Sequence, residues 1–598
     1  MAAAPGHIEL FVDPRRGSDA AVGAAQSPLR SVRSAADRVR ALRIQHPGAD
    51  ITVQMMPGLH HVGDGPLSLS AEHGGREGGW VTWRSADPSQ PAVLGGPIRV
   101  TGWRKHPTKS GALTAPLPSN ISKGTPLRQL WVNGERAERP LVHGHGRQAG
   151  DNKQGYCHNL SLVDPTPEYP LGSAYSFAGE NATDPSKWLN PSDVEFVWTG
   201  CDAINCWVEP RCTVESVSAN GIVKLKQDGN ASCFHRLYNW PSCFVNGDSS
   251  AGPWTRGRFP VSIENVATNW SFPGQWYYDR ANAAIGYIPR DASETIAQLE
   301  ATATTATLEQ ILVVNNSKNM RWEGVHFHFA TWSGSSGNAG YVDIQSGYLC
   351  QQGEPPVNVH VVSSTNVTFS ACDFRHLGAV YALGAHSASQ DVIVSNCTFT
   401  DCSGGAIKLG DVGERGAPGP AVDLPVALQD RGFMVSDNLI YNLPREYSSA
   451  NPIFAGYVAD TSLTHNTIRN STYSAICAGW GWGESSYMRG MKIEYNVISH
   501  PMQPTARGQL EDGGCVYTNS PCPNCSVSHN SFDHDPTVYG CIYHDGGSGL
   551  WNDHFNVFNH IATSGVFAHG SSSHTTVARV PLSFFKTSGV SLLLLVVH

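Results

Sequence analysis

From about residue 310 onward, apolar and polar positions recur in short strand-length runs rather than at helical spacing. The phrases FSACDF, VSNCTF, VSDNLI, THNTI, EYNVI, SHNSF and HFNVF align so that Cys372, Cys397, Asn438, Asn466, Asn496, Asn530 and Asn556 share one column. Their successive spacings are 25, 41, 28, 30, 34 and 26 residues, the long one holding the loop ERGAPGPAVDLP. A second short strand returns at constant phase as AVYAL, AIKLG, AICAG, CVYT and CIYH. No unit of this length buries its apolar side alone, so neighbours must stack. The pattern predicts an all-β chain built as a right-handed parallel β-helix, a solenoid whose coils rise by about 4.8 Å. Asn suits such a column because it tolerates unusual backbone angles and its amide reaches the next coil. The repeat lacks the L-x-x-L-x-L or Trp-Asp patterns of leucine-rich and propeller architectures.

The earlier chain reads differently. FVDPRRGSDAAVGAAQSPLRSVRSAADRVRALR begins as a strand and turn and continues as a helix. Ser34, Ala35, Ala36, Val39, Leu42 and Ile44 give that helix an apolar side, suited to capping the open end of the first coil. ITVQMMPGLHHV then reads as a strand and turn of coil one. Between roughly 100 and 300 the repeat disappears into β-rich, aromatic and Cys-rich sequence ending in WYYDRANAAIGYIPR. The expected organisation is a cap and first coils over 1–98, an inserted β-rich domain over 99–300, the cleft-bearing β-helix over 301–575, and an atypical apolar tail over 576–598.

Composition narrows the function classes. Charged residues are 15% and the formal net charge is −9, and no basic run forms a nucleic-acid footprint. A mildly acidic chain with 16 tryptophans suits neutral sugars better than a strongly anionic polymer. There are 15 cysteines, five of them between Cys201 and Cys243 and three in CVYTNSPCPNC. Asn-X-Ser/Thr sequons occur at Asn120, Asn159, Asn181, Asn230, Asn269, Asn315, Asn366, Asn396, Asn470 and Asn524. Both features point to an oxidising, extracellular or secretory setting, although MAAAPGHIELFVDP shows no signal-peptide apolar core. The closing run SFFKTSGVSLLLLVVH is too short for a transmembrane span. A monomer that meets a carbohydrate, with no nucleic-acid partner, is expected.

The candidate chemistry departs from the repeat. QLEDGGCVYTN and GCIYHDGGSG set Asp512 and Asp545 beside the same strand type, 33 residues and about one coil apart. Cleavage of a glycosidic bond by the usual route needs two carboxyl groups flanking it, so adjacent coils can supply the pair. The phase is imperfect: with Val516 aligned to Ile542, Asp512 lies four residues before the strand centre and Asp545 three after it. Gly513 and Gly514 offer a bend that would return Asp512 to its partner, and the structural alternative is two Asp-Gly-Gly turns. GWGWG places Trp480 and Trp482 two apart on a glycine-rich segment, a candidate sugar platform or a buried pair. Tyr517, Tyr543, His544 and Lys408 fall in equivalent strands and are candidates for sugar hydroxyls, as are Asp411 and Glu484 as supporting or alternative carboxylates. No metal ligand set is assigned and no cofactor is required. Cys522-Pro-Asn-Cys525 is a lone CxxC that reads as a loop disulfide. Cys515 and Cys541 share a column and either pair or stack. Asp13 and Asp19 near Gly17 form a solvated turn, with a structural Ca²⁺ the lesser reading.

The opening FVDPRRGSDAAVG...SPLRSVRSAA resembles the N-terminal cap of secreted β-helix carbohydrate enzymes. AVLGGPIRVTGW, RQLWVNGERAERP, IENVATNWSFPGQWYYDRANAAIGYIPR, AIKLGD, AGWGWGE, EDGGCVYT and IYHDGGSG follow in an order similar to glycoside hydrolase family 141, over nearly the whole chain to about 560. That resemblance implies a glycosidase of the α-L-fucosidase or xylanase kind, catalytic aspartates matching Asp512 and Asp545, and retention of configuration. The character of the chain changes after about 575, where further coils or a fuller cap are expected. Two alternatives share the fold. A polysaccharide lyase or uronate epimerase needs a base with positive charge or Ca²⁺, and only Lys408, Arg415 and Arg489 are near the expected cleft strands. A non-catalytic carbohydrate-binding protein needs neither acid.

Overall fold

The computed structural model describes residues 6–143, 160–164, 166–169, 173–177, 184–199, 207–228, 231–232, 260–338, 340–341, 354–413, 419–570 and 576–578. Among them, three parallel sheets of 12, 10 and 10 strands run along one axis. Each coil gives one strand to each sheet, as Val357–Val362, Thr365–Ser370 and Asp373–Leu377 do before Tyr381–His386 begins the next. This is the parallel β-helix that the repeat predicts.

Strict register makes like residues stack. Phe327, Phe374 and Phe399 are successive partners, with ring centroids 5.0 Å and 4.5 Å apart. Trp83 lies 5.2 Å from Trp322 in the same manner. The Asn column forms a continuous amide ladder: Asn438 Nδ2 donates to Asn466 Oδ1 at 2.9 Å, and the Asn466–Asn496, Asn496–Asn530 and Asn530–Asn556 steps are each 3.0 Å. Each Oδ1 also accepts the backbone N–H of the Asn below it, as Asn496 Oδ1 does from Asn466 at 2.9 Å. The buried turn is thereby satisfied without water. Cys397 extends the ladder, its N–H donating to Asn438 Oδ1 at 2.9 Å.

The helix Val32–Gln45 is capped by the Ser31 side chain and buries Val32, Ala35, Ala36, Val39 and Arg43. It packs on the edge strands His7–Val12 and Leu67–Leu69. Ile44 does not join its apolar side and is 77% exposed. The inward position one residue earlier belongs to Arg43, whose guanidinium closes the carbonyls of Pro47 and Trp80 at 3.0 Å and 2.6 Å. At the first turn Asp13 accepts from the N–H groups of Arg15 and Arg16, and Asp19 from those of Arg30 and Ser31.

The chain leaves the parallel stack after Ala92–Gly95 and resumes at Leu312–Asn315 without skipping a strand, since Leu312 pairs Leu67 and Met320 pairs Val81. The excursion holds antiparallel sheets, the largest of seven strands. It is fixed to the coils by buried charge. Arg136 bonds Asp401 and Glu446, each at 2.6 Å. Arg128 bridges Glu195 and Glu446, Arg211 meets Glu209 and Glu264 at 2.8 Å, and Arg507 reaches both glutamates from the coil side. The guanidinium groups hold Glu446 and Glu264 ionised despite their burial, each drawn down to about 2.

Cys522 and Cys525 form the expected loop disulfide. Cys515 and Cys541 are thiols in the same column with sulfurs 2.7 Å apart, close enough to pair as well as to stack. Of the five cysteines between 201 and 243, only Cys212 lies within the described residues, and the run 579–598 lies outside them. Among the described residues no helix is long and apolar enough to cross a membrane.

Candidate active site

Strand alternation decides which residues reach the outer face. In the pairing of Val516–Thr518 with Gly540–His544, Val516 and Ile542 face the core, as do Thr518 and His544. Tyr517 and Tyr543 therefore point outward, in one column with Lys408, Phe454 and Cys477. Asp545 follows Tyr543 by two residues and shares its face. Tyr517 Oη bonds Asp545 Oδ2, and Tyr543 Oη lies 3.3 Å from Asp545 Oδ1.

The phase mismatch of Asp512 is closed by backbone conformation. Asp512 sits at φ +61° in a bend, and Gly513 and Gly514 lead from it toward the strand. Tyr473 Oη holds the Asp512 carbonyl at 2.8 Å, and Ser474 Oγ accepts from Gly514 N–H at 3.2 Å. The Asp512 side chain thus returns to the outer face, where Oδ1 accepts from Tyr543 Oη at 2.8 Å. One hydroxyl touches both carboxyl groups. Burial, followed by the two aspartates, pushes the Tyr543 phenol far above its ordinary range and raises Tyr517 likewise, so both remain proton donors.

Trp482 completes the wall. Its indole N–H approaches Tyr517 Oη at 3.1 Å and Asp545 Oδ2 at 3.3 Å, while its backbone N–H donates to Asn519 Oδ1 at 2.8 Å. The glycines around it permit contact between loops. A Cβ on Gly547, at φ +66°, would lie 2.1 Å from the Gly483 Cα, so the Asp-Gly-Gly turn and the GWGWG loop meet backbone to backbone.

The expected set is only partly assembled. Asp512, Asp545, Tyr517, Tyr543 and Trp482 converge. Trp480 does not share a face with Trp482: the rings meet edge-on at 66°, and Trp480 is fully buried with its N–H on the Gly413 carbonyl at 2.8 Å. Positive φ at Gly479 and Gly481 breaks the alternation that would have aligned them. His544 lies inside the coil, held by Asp553 at 2.7 Å and Thr518 at 2.6 Å, because it is one residue from Tyr543. Lys408 is in the right column but three strands away, buried against Glu354. Asp411 stands beyond Lys408 with His386, at 3.1 Å. Glu484 approaches Gly481 and Tyr457 rather than the pair. Sequence reading missed Tyr473, which holds the bend, and Tyr539, which stacks on Tyr543 at 5.1 Å. Tyr539 lies four residues before Tyr543 with a glycine between them, a signal available in the repeat.

A solved structure described as a glycoside hydrolase matches 95% of this chain over 96% of its own length, at 22% identity and a TM-score of 0.74. The chain has that protein's fold. A lacto-N-biosidase of glycoside hydrolase family 136 from Eubacterium ramulus matches at 9% identity and TM-score 0.37, covering 96% of this chain and 68% of its own. A family 28 exopolygalacturonase from Yersinia enterocolitica matches at 9% and 0.35, covering 96% and 78%. No protein-family model and no curated sequence matches the chain.

Two other features bound the site. A cavity of about 460 Å³ opens where the antiparallel region meets the coils, lined by Arg136, Arg139, Glu264, Glu446 and Arg507 among others, but not by Asp512 or Asp545. Its charges are already paired with one another. Among the described residues, the groups spaced to hold a metal ion also exclude both aspartates.

Proposed function

We propose that the chain is a secreted glycoside hydrolase, similar to family 141, acting on a plant- or algal-type glycan of fucoside or xylan kind through Asp512 and Asp545. The observation that carries this reading is the single Tyr543 hydroxyl in contact with both carboxyl groups. A pair this close favours the retaining arrangement, with carboxyls about 5–5.5 Å apart, over the inverting one at about 6.5–9.5 Å. Asp545, oriented by Tyr517, Trp482 and Tyr543, is placed to attack the sugar carbon. Asp512, on its bent and more open segment, is placed to protonate the leaving oxygen and later to activate water. The Cys522–Cys525 disulfide and the sequons support an extracellular setting.

The test is incubation with fucosides, xylan and uronate polymers, following reducing ends and the ultraviolet absorbance of unsaturated products. Reducing ends without absorbance, lost in both Asp512→Asn and Asp545→Asn, support hydrolysis. Absorbance, or activity untouched in both variants, overturns it.

A further inference from the structure

A second polar cluster lies on the same outer face as Tyr517, about 19–24 Å away along the axis at four to five strand spacings. It centres on the strand pair Val357–Val362 and Tyr381–His386. His360 is paired with Gly384, which has no side chain, and His386 follows on the same face two residues later. The His360 ring leans across that gap, placing its Nε2 2.6 Å from His386 Nε2. The other nitrogen of His386, Nδ1, faces Asp411 Oδ1 at 3.1 Å and Ser387 Oγ at 2.8 Å. One ligand atom each of Glu354, His386 and Asp411 lie within 4.8 Å of one another.

Proton placement sets the chemistry. His360 Nε2 and His386 Nε2 lie 2.6 Å apart, so one of the two ring nitrogens donates and the other accepts. If His360 Nε2 accepts from His386 Nε2–H, the lone pair of His386 Nδ1 confronts the Asp411 carboxylate. Those two acceptors and Glu354 then converge as three donors for a cation, with the Ser387 hydroxyl at 2.8 Å from His386 Nδ1 and the Ser387 N–H at 3.1 Å from Asp411 Oδ1 as the protein donors beside them. Glu354 Oε2 is bonded by Lys408 and Oε1 by the Val412 N–H, which leaves each oxygen a further lone pair. His386 is almost wholly buried while the Asp411 side chain is 45% exposed, giving an oriented ligand and an open approach.

We propose that Glu354, His386 and Asp411 bind one divalent transition-metal ion of the zinc class, with His360 as the group that orients His386. Mixed imidazole and carboxylate donors suit such an ion better than Ca²⁺ or Mg²⁺, which take all-oxygen sets. An imidazole ligand whose second nitrogen is hydrogen-bonded is the usual supporting arrangement. Lys408 offsets one carboxylate charge, which leaves a net negative charge to attract the ion. The competing arrangement reverses the protons: His360 donates to His386, and His386 donates to Asp411, a closed chain that needs no ion.

The experiment uses the full chain, stripped with chelator and loaded with Zn²⁺ alone, with metal content and titration calorimetry as readouts. One equivalent is expected, with affinity falling at least 10-fold in His386→Ala and in Asp411→Asn and unchanged in Asp512→Asn. Cobalt substitution guards against misfolded variants: the parent should show the intense visible absorption of a low-coordinate ion, and His360→Gln should alter that spectrum. No stoichiometric uptake by the parent, or uptake equal in His386→Ala, overturns the proposal. So does uptake lost instead in His326→Ala or His534→Ala, which belong to the two other histidine-bearing clusters among the described residues.

Discussion

The hydroxyl of Tyr543 bonds Asp512 Oδ1 at 2.8 Å, joining a strand of one coil to a bend of the coil before it. The same hydroxyl reaches Asp545, so its removal loosens both carboxyl groups at once. Tyr543→Phe is expected to lower kcat/KM by about 10–100-fold, the loss of a hydrogen bond to a charged group costing about 1.5–3 kcal/mol. Steady-state kinetics check it, with circular dichroism confirming an unchanged fold.

The two aspartates should differ by substrate. Asp545→Asn is expected to abolish turnover of every glycoside. Asp512→Asn should cost about 10²–10⁴-fold on a natural glycosidic linkage, the usual contribution of a positioned acid, and far less on an aryl glycoside whose leaving group needs no proton. Comparing the two substrate types in each variant checks the assignment, and equal losses in both would reverse it.

Gly547→Ala should impair the site without touching a side chain in it. The added methyl meets Gly483 and the residue must hold φ +66°. The Asp-Gly-Gly turn has to separate from the Trp482 loop, which moves Asp545 away from the indole. The expected result is loss of activity exceeding the loss of thermal stability, measured side by side.

The buried ion network makes stability depend on acid. Glu446 and Glu264 fall from 4.5 to about 2 on folding, so their contribution is complete above about 4.5 and is lost as pH drops toward 2. Unfolding free energy measured across that window should decline steeply. Glu446→Gln should flatten the decline and cost about 3–5 kcal/mol at neutral pH by leaving Arg128 and Arg136 short of a partner.

Asn496→Ala should cut the amide ladder. It removes the acceptor of Asn466 Nδ2 and of the Asn466 backbone N–H inside a closed turn. A cost of about 1–3 kcal/mol per buried group left unsatisfied is expected, read as a lower denaturant midpoint. Arg469→Ala, one coil step away on an exposed strand position, should stay near the parent value.

The fold was legible because a solenoid writes its geometry into spacing. The Asn and Phe columns show as periodic letters, since stacking is repeated at every coil. The candidate site was legible only where it broke that period: Asp512 and Asp545 are not required by the strand they flank, and Tyr517 and Tyr543 share its centre. His544 and Trp480 were misplaced by the same kind of detail. One step along a strand turns His544 into the core, and the positive φ of Gly479 and Gly481 turns Trp480 away from Trp482.

By itself the sequence determined the coil, its register and the strand that carries the tyrosines, because these follow from local periodicity and side-chain alternation. The tertiary structure alone decided that Asp512 and Asp545 meet the same tyrosine hydroxyl. That contact depends on a left-handed bend at Asp512 held by Tyr473, and on two glycine loops close enough to touch. Such features arise between coils, where no spacing within one repeat records them.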